Sequence, residues 1–306
     1  MKALSRERLS HVLSPNLPPI AEIEAGETIT VETEDTFGGR LRQPEDIEEF
    51  LAFLARSSEP DGRFNPVIGP ISIVSAEAGD AIAITVKGIE LDSQGATCFR
   101  PGVGSFPDWF DEPRAKILPI KEGFIQWDER IRIPTKPMIG LLGVAPAYES
   151  LATGKAGTYG GNMDCEAITT GNTLLLPAYH PGALLYVGDV HAVQGDTEFS
   201  WVAVEARARV ILSVDVVKGR PSAMTWPRVY TPKSIITIVS ARPLDEALAG
   251  AYREMILWLE EEFGFDRGEA YMLLGQVADG RICNMFTARC VFPRCYLPEQ
   301  PTWPRN

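Results

Sequence analysis

The chain has 306 residues, of which 45% are hydrophobic and 23% are charged, and its 41 acidic and 29 basic residues leave a net charge of −12. Such a chain buries a sufficient core without disulfides or a structural metal. The acidic excess and the lack of a long Lys/Arg run exclude a basic face for phosphates, so we expect no nucleic-acid partner. No run of eighteen apolar residues occurs and the first residues are polar, so we expect no membrane partner and a cytoplasmic location.

The first half of the chain combines strand patterns with one helical pattern. Residues 20–33 and 71–87 each place an Ala-Gly-acid turn between runs rich in Ile, Val and Thr, which predicts two β-hairpins. Residues 45–56 place apolar side chains on one helical face and acids in the first turn, which predicts a short helix. Residues 100–140 are rich in Pro and Gly and predict long ordered loops.

The second half begins with strands and ends with helices. Residues 173–217 alternate apolar and charged side chains, which predicts strands with one buried face. In residues 243–264 apolar residues recur at intervals of three and four, which predicts a long amphipathic helix. A second helix is expected to begin at Asp266. We therefore predict a mainly β fold with a β-sandwich or barrel-like body over residues 1–220 and a C-terminal α/β part over residues 221–306. Whether the two parts pack as one unit stays open.

One of the three histidines lies in a cluster of groups that bind metal or move protons. Asp189 and His191 are two residues apart and point to the same side of a strand, and Asp196 and Glu198 follow after a Gln-Gly turn. A divalent ion on such ligands polarises a carbonyl and acidifies water, while a carboxylate transfers protons. The alternative is that these carboxylates only accept hydrogen bonds from loop amides.

Polar residues elsewhere provide further candidates. Asp164 is a candidate third metal ligand or general base, with Asn162 beside it, although both residues are equally suited to stabilise a turn. Cys165, next to Glu166, suggests a cysteine-dependent amidase, against the alternative that a cysteine entering a strand serves packing. Asp35 follows a strand and precedes a Gly-Gly turn, a position that suits binding.

Several segments, in order along the chain, resemble the acetamidase/formamidase family. They are TEDTFGG, the stretch NPVIGPISIVSAEAGDAI at 65–82, PMIGLLGVAP at 137–146, GGNMD, GALLYVGDVHAVQGDTEF and AYREMILWLEEEFGF. The resemblance covers nearly the whole chain. It implies a β-rich fold and an enzyme that hydrolyses formamide, acetamide or a related short amide to the acid and ammonia.

Carried over residue by residue, the resemblance marks a set of polar positions: Asn162, Asp164, Asp189, His191, Gln194, Asp196, Glu198 and Glu205. The chain departs from the family pattern at Thr197, where a glycine is usual, and at Trp201, where small residues are common. Both departures put the identity of the substrate in doubt more than the reaction.

Roles within this set are our inference from residue chemistry. We assign Asp164, Asp189 and His191 as ligands of a divalent metal and Glu198 and Asp164 as catalytic groups. The substrate-binding candidates are Asn162, Gln194 and Asp35. Zinc is the favoured ion because it suits a mixed histidine and carboxylate set, and calcium is the alternative if the ligands are mostly oxygen.

The prediction is thus a small-amide amidohydrolase that acts on a C–N bond. The expected partners are the amide substrate and further copies of the chain in a homo-oligomer, a dimer. Two alternatives remain: a non-catalytic β-sandwich protein that binds a small ligand, and a cysteine-dependent amidase that uses Cys165.

Overall fold

The structure is a computed structural model and describes residues 2–56, 64–222 and 224–298. The strands in these ranges are β1 (Lys2–Leu4), β2 (Leu9–Ser10), β3 (Val12–Leu13), β4 (Ala21–Ile23), β5 (Thr28–Thr33), β6 (Val67–Ile73), β7 (Ala81–Phe99), β8 (Arg114–Lys121), β9 (Phe124–Gln126), β10 (Arg132–Pro134), β11 (Met138–Val144), β12 (Leu151–Ala152), β13 (Ala156–Gly157), β14 (Gly160–Asn162), β15 (Thr173–Pro177), β16 (Leu185–Val193), β17 (Val204–Val217), β18 (Arg228–Tyr230), β19 (Ser234–Ser240), β20 (Asp279–Asn284) and β21 (Thr287–Pro293). The α-helices are α1 (Asp46–Ala55), α2 (Leu244–Phe263) and α3 (Arg267–Val277). Short 3-10 turns lie at Asp196–Glu198 and Arg294–Tyr296.

Hydrogen bonds join most of these strands into one curled sheet. The two longest strands, β7 and β17, run antiparallel with registers from Glu205↔Ala96 to Val217↔Ala81. Strand β16 lies between β11 and β17, and β14 lies on the other side of β11. The prediction of a mainly β fold with a helix-containing C-terminal part is confirmed. Strand β15 precedes residue 220 in the sequence and pairs with β18, which follows it. The division into two parts at this residue stays a prediction.

The three predicted helices are present close to the predicted bounds. Helix α2 ends where Gly264 adopts a left-handed backbone at φ 69°, a conformation that glycine reaches without a Cβ clash. Helix α3 begins at Asp266, whose side chain accepts hydrogen bonds from the backbone N–H groups of Gly268 and Glu269. None of the described helices is both long and apolar enough to cross a membrane.

The two predicted hairpins are wrong, although the strands themselves form. Strand β4 pairs in parallel with β6, whereas β5 pairs with β1 and β17. Likewise β6 pairs with β16, whereas β7 pairs with β15 and β17. Alternation of Ile, Val and Thr marks a strand with a buried face but does not select its neighbour, because the neighbour depends on which distant strands cover that face.

The prediction of long loops over residues 100–140 is also wrong in part. Strands β8, β9 and β10 lie in this range, and β11 begins within it. Two prolines lie in these strands: Pro119 in β8, which pairs with β7 on one side over Gln94–Phe99, and Pro134 at the end of β10. Proline is tolerated at such positions because its nitrogen, which carries no hydrogen, is not needed as a donor to a neighbouring strand.

The core has a main part within the curled sheet and a second part under the C-terminal helices. The main part contains fully buried aliphatic residues from many strands, among them Val67, Leu141, Val187 and Val210. In the second part, Trp258 of α2 packs with Phe292 of β21. The strands that carry the polar candidates are thereby fixed on both faces.

Candidate active site

The polar candidates converge where β14, β11, β16 and β17 follow one another in the sheet. Asp189 and His191 belong to β16, and His191 is in register with Glu205 at the start of β17. Asp164 lies two residues after β14, and Glu198 ends the 3-10 turn that follows β16. Ligand atoms of Asp164, Asp189 and His191 lie within 4.8 Å of one another, and so do those of His191, Glu198 and Glu205. Two possible metal-ligand groups therefore share one histidine.

The hydrogen bonds of Gln194 fix the tautomer of His191. The Gln194 side-chain nitrogen donates to the backbone carbonyls of Asp164 at 2.7 Å and Cys283 at 2.9 Å, so its oxygen is the acceptor that faces His191. That oxygen lies 2.8 Å from Nδ1 of His191, which must donate. In a neutral ring, Nε2 is then left with a free lone pair, the form in which histidine binds metals.

Three carboxylates surround this Nε2 atom. Its distances are 3.3 Å to Oε2 of Glu205, 3.5 Å to Oδ2 of Asp189 and 3.9 Å to Oδ1 of Asp164. Nε2 of His191, Oδ1 of Asp164 and Oε2 of Glu205 are buried and have no hydrogen-bond partner among the described residues. Buried polar atoms normally have partners, so this converging set fits a cation that the three atoms would share.

The same crowding shifts the pKa values of the site. Burial and the nearby carboxylate of Asp189 raise the pKa of Asp164 to about 6. Burial and neighbouring carboxylates also raise the pKa values of Glu198 and Glu205 well above the ordinary range, although His191 opposes both shifts. Burial alone would lower the pKa of His191, but the carboxylates of Glu205 and Asp189 outweigh it and raise that pKa. A divalent cation relieves this repulsion as effectively as protons do.

Three asparagine side chains hold the carboxylates in place. Asn162 and Asn284 donate to Oδ2 of Asp164 at 2.8 Å and 2.7 Å. Asn65 donates to Oδ2 of Asp189 at 3.1 Å and to Oδ1 of Asn162 at 2.6 Å. These bonds occupy Oδ2 of Asp164 and leave its Oδ1 directed at His191.

The backbone around the site is constrained to an unusual degree. Of the nine described non-glycine residues with positive φ, five line the central cavity: Asn65, Asp164, Asp189, Glu198 and Trp201. Such conformations cost free energy and concentrate at functional sites. Gly140 of β11 is required here, because a Cβ at this residue would lie 2.7 Å from Oδ1 of Asp164 and 2.8 Å from Oδ2 of Asp189.

The carboxylates line a cavity of about 650 Å³. Its polar lining includes Asn162, Asp164, Asp189, Glu198 and Glu205. The cavity therefore gives a small polar molecule access to the candidate ligands.

Comparison with known proteins identifies the family. The profile of the Acetamidase/Formamidase family matches residues 5–158 and 153–300. The chain belongs to this family. The prediction of an enzyme class that hydrolyses C–N bonds of amides is confirmed at that level.

Named members of the family are similar to the chain over most of its length. A formamidase from Methylophilus methylotrophus is 24% identical and aligns with 94% of this chain and 87% of its own. The crystal structure of an acetamidase from Bacillus halodurans superposes with a TM-score of 0.88 at 31% identity, covering 96% of this chain and 98% of the other. An acetamidase from Yersinia enterocolitica gives a TM-score of 0.89 at 31% identity, covering 97% and 93%.

Two of the predicted substrate-binding residues, Gln194 and Asp35, do not line the cavity among the described residues. Gln194 is buried and orients His191, as described above. The Asp35 carboxylate accepts hydrogen bonds from the backbone N–H groups of Phe37 and Gly39 and lies 3.2 Å from Arg42. Neither residue is among the described residues that line the cavity, whereas Asn162 is. The roles of all three stay predictions.

Sequence reasoning missed Asn65 and Asn284 and gave Glu205 no role. A signal for Asn65 existed, since it opens the NPVIGP segment that resembles the family. Asn284 ends β20 and lies in no motif that the sequence reveals, so only the fold brings it to Asp164.

The cysteine alternative depends on a thiol that lies away from the cavity. Cys165 is fully buried and is not among the described residues that line the cavity. Burial alone would raise the pKa of its thiol, but Cys283 and the charge of Arg289 lower it to about 6. Nη1 of Arg289 lies 3.6 Å from this sulfur, so the positive charge of the guanidinium favours the thiolate form.

Proposed function

We propose that the chain hydrolyses the C–N bond of a small linear amide to a carboxylic acid and ammonia, with the help of a divalent metal ion. The observation that carries the proposal is the convergence of three buried atoms without a hydrogen-bond partner among the described residues: Nε2 of His191, Oδ1 of Asp164 and Oε2 of Glu205. Family membership supports the reaction, and this convergence supports the metal. The cytoplasmic location and the homodimer remain predictions from the sequence.

We assign Asp164, Asp189 and His191 as the metal ligands, because their ligand atoms are mutually close and fully buried. The donor set of one imidazole and two carboxylates suits zinc better than calcium, which prefers oxygen donors alone. When bound, the ion supplies Lewis-acid polarisation of the amide carbonyl and acidifies a water molecule.

Glu198 is our candidate for proton transfer. It is half-buried, lines the cavity and has a raised pKa, so its carboxyl group is suited both to accept the proton of the attacking water and to deliver it to the leaving nitrogen. Glu205 is fully buried and has one oxygen fixed by the backbone N–H of Ala203 at 2.9 Å. Its other oxygen faces Nε2 of His191 at 3.3 Å and is suited to a bound cation rather than to moving protons.

Asn162 is our candidate for binding the substrate amide. Its oxygen accepts from Asn65 and its nitrogen donates to Asp164, which leaves one N–H of the side chain for a substrate carbonyl. Gln194 supports the site indirectly by keeping Nδ1 of His191 protonated. Asp35 supports the loop next to Thr36, a residue that lines the cavity.

The proposal is tested by release of ammonia from formamide, acetamide and propionamide and of methylamine from N-methylacetamide, together with elemental analysis of the purified protein. We expect release from at least one primary amide, loss of activity after chelation and recovery with zinc but not with calcium. The His191→Ala variant should lose activity and bound metal, whereas His180→Ala, which removes a ring bonded to the Pro146 carbonyl, should lose neither. A protein that releases no ammonia from any of these amides would favour a non-catalytic binding protein, and full activity without metal would remove the ion from the proposal.

A further inference from the structure

The cavity is much larger than a short amide requires. It measures about 650 Å³. Acetamide has four heavy atoms and occupies on the order of 100 Å³ if each needs about the volume of a water molecule. If the proposed amide hydrolysis is correct, most of the cavity is therefore available to a further part of the substrate.

Part of the cavity wall is apolar. It includes the aromatic residues Phe64, Phe99, Trp201 and Phe286 and the aliphatic residues Leu51 and Val103. Trp201 is 45% exposed, so a substrate lying against it would cover apolar surface that now contacts solvent. The wall thus fits a substrate with an apolar body.

Two arginines line the same cavity, each over an aromatic ring of that wall. The guanidinium of Arg100 lies 5.9 Å from the ring centre of Phe64, and that of Arg242 lies 5.0 Å from the ring centre of Phe286. Neither guanidinium has a carboxylate within 4 Å in the part of the chain that the structure describes. Guanidinium groups held on rings retain in-plane N–H donors, which suit a carboxylate.

The charges that line the cavity limit where a charged group of a substrate can bind. Asp164, Asp189, Glu198 and Glu205 repel a carboxylate, while Arg100 and Arg242 attract it. The protein as a whole carries a net charge of −12 and does not attract anions, so any preference for an anionic substrate must arise from cationic groups at the cavity itself.

We propose that the substrate is the monoamide of a dicarboxylic acid with an apolar spacer. Its amide meets the carboxylates that line the cavity beside His191, its spacer lies against the aromatic wall, and its free carboxylate binds Arg100 and Arg242. In the reaction the C–N bond breaks and a C–O bond to water forms. The water supplies hydroxyl to the carbon and a proton to the nitrogen, so the products are a dicarboxylic acid and ammonia.

The test compares three substrates: terephthalamate, its neutral analogue para-methylbenzamide, and acetamide. We expect kcat/KM for terephthalamate to exceed that for para-methylbenzamide about tenfold or more, the effect of one good ion pair. In the double variant Arg100→Met/Arg242→Met this ratio should fall to about one. Competitive inhibition by terephthalate should also weaken, by about tenfold or more. The matched control is Arg132→Met, because Arg132 also lies over a ring, Phe124 at 4.4 Å, but outside the cavity, and it should keep both the ratio and the inhibition.

The outcomes separate this inference from the proposed function. Ammonia release from acetamide with no preference for terephthalamate, or a preference that the double variant leaves intact, overturns the inference alone. No release from any of the three substrates, nor from formamide or propionamide, overturns the proposed function and the inference with it. The comparison of substrates on the wild-type enzyme decides the matter even if the double variant does not fold.

Discussion

Two groups of buried carboxylates in this protein differ in how their charge is balanced. The balanced cluster consists of Glu34, Asp35, Arg42 and Arg207. Glu34 accepts hydrogen bonds from Nε and Nη2 of Arg207, and Asp35 accepts from loop N–H groups and lies 3.2 Å from Arg42. Two carboxylates thus meet two guanidinium groups, and each charge has a partner.

The unbalanced cluster consists of Asp164, Asp189, His191, Glu198 and Glu205. Here several carboxylates converge on a single imidazole nitrogen, and three of the facing atoms have no partner among the described residues. Burial of like charges is unfavourable without a counter-charge, so this arrangement is the one that calls for a ligand. The comparison teaches that a buried carboxylate indicates a functional site when its charge is left unbalanced, and indicates structure when it is matched.

The largest expected effect comes from neutralising one carboxylate in each cluster. We expect Asp189→Asn to lower kcat/KM for the best amide about 10³-fold or more and to remove bound metal, because a ligand is lost. Asp35→Asn should instead lower the melting temperature and leave the metal content as in the wild type. Elemental analysis of both variants, with the ammonia assay, checks the pair. Full metal content in Asp189→Asn would contradict the assignment of this ligand.

A smaller effect is expected when a methyl group is placed against the unbalanced cluster. In Gly140→Ala the new Cβ would push on the carboxylates of Asp164 and Asp189, so we expect metal affinity and activity to fall about 10- to 100-fold. The matched control is Gly275→Ala in α3, where the added Cβ meets no atom within 4 Å and should raise stability slightly. Metal titration followed by the melting temperature measures both. An unchanged affinity in Gly140→Ala would show that the two aspartates do not bind the ion together.

The sequence alone allows only part of this comparison to be made. Alternation and helical periodicity located most strands and all three helices, because those patterns follow from which faces are buried. They did not reveal that β5 pairs with β17 or that β8 to β10 occupy a proline-rich stretch, since pairing depends on distant segments. The same limit applies to charge balance: Asp35 and Asp164 both look like turn carboxylates, and only the fold shows that Arg42 faces one and His191 the other. Asn284 entered the site for the same reason, without any local signal.

Breaking the balanced cluster should affect stability alone. In Glu34→Gln the paired hydrogen bonds with Arg207 are weakened, and a partly exposed guanidinium is left without its counter-charge. We expect a loss of about 2 kcal/mol, between the values for exposed and buried ion pairs, and a melting temperature about 5 °C lower. Thermal unfolding monitored by circular dichroism measures the change. A loss of metal in this variant would contradict the separation of the two clusters.

The smallest expected effect concerns Asp80, a buried carboxylate outside both clusters that is balanced by one lysine. Its contribution to stability should depend on pH. Burial opposes ionisation of Asp80, but Lys218 at 2.8 Å and the backbone N–H groups of Gly219 and Glu77 hold its pKa below the ordinary value of 3.8. The unfolded chain then binds the proton more readily than the folded chain. The stabilisation is therefore complete above the unfolded pKa and is lost as the pH falls through the folded pKa. We expect Asp80→Asn to cost about 1 kcal/mol at pH 7, or about 3 °C in melting temperature, and to cost progressively less in acid below about pH 4. Lys218→Met should reproduce this pH dependence, because it removes the charge that holds the carboxylate ionised, and melting curves of both variants against pH are the measurement. A cost that stays constant into acid would mean that Asp80 acts through its shape rather than its charge.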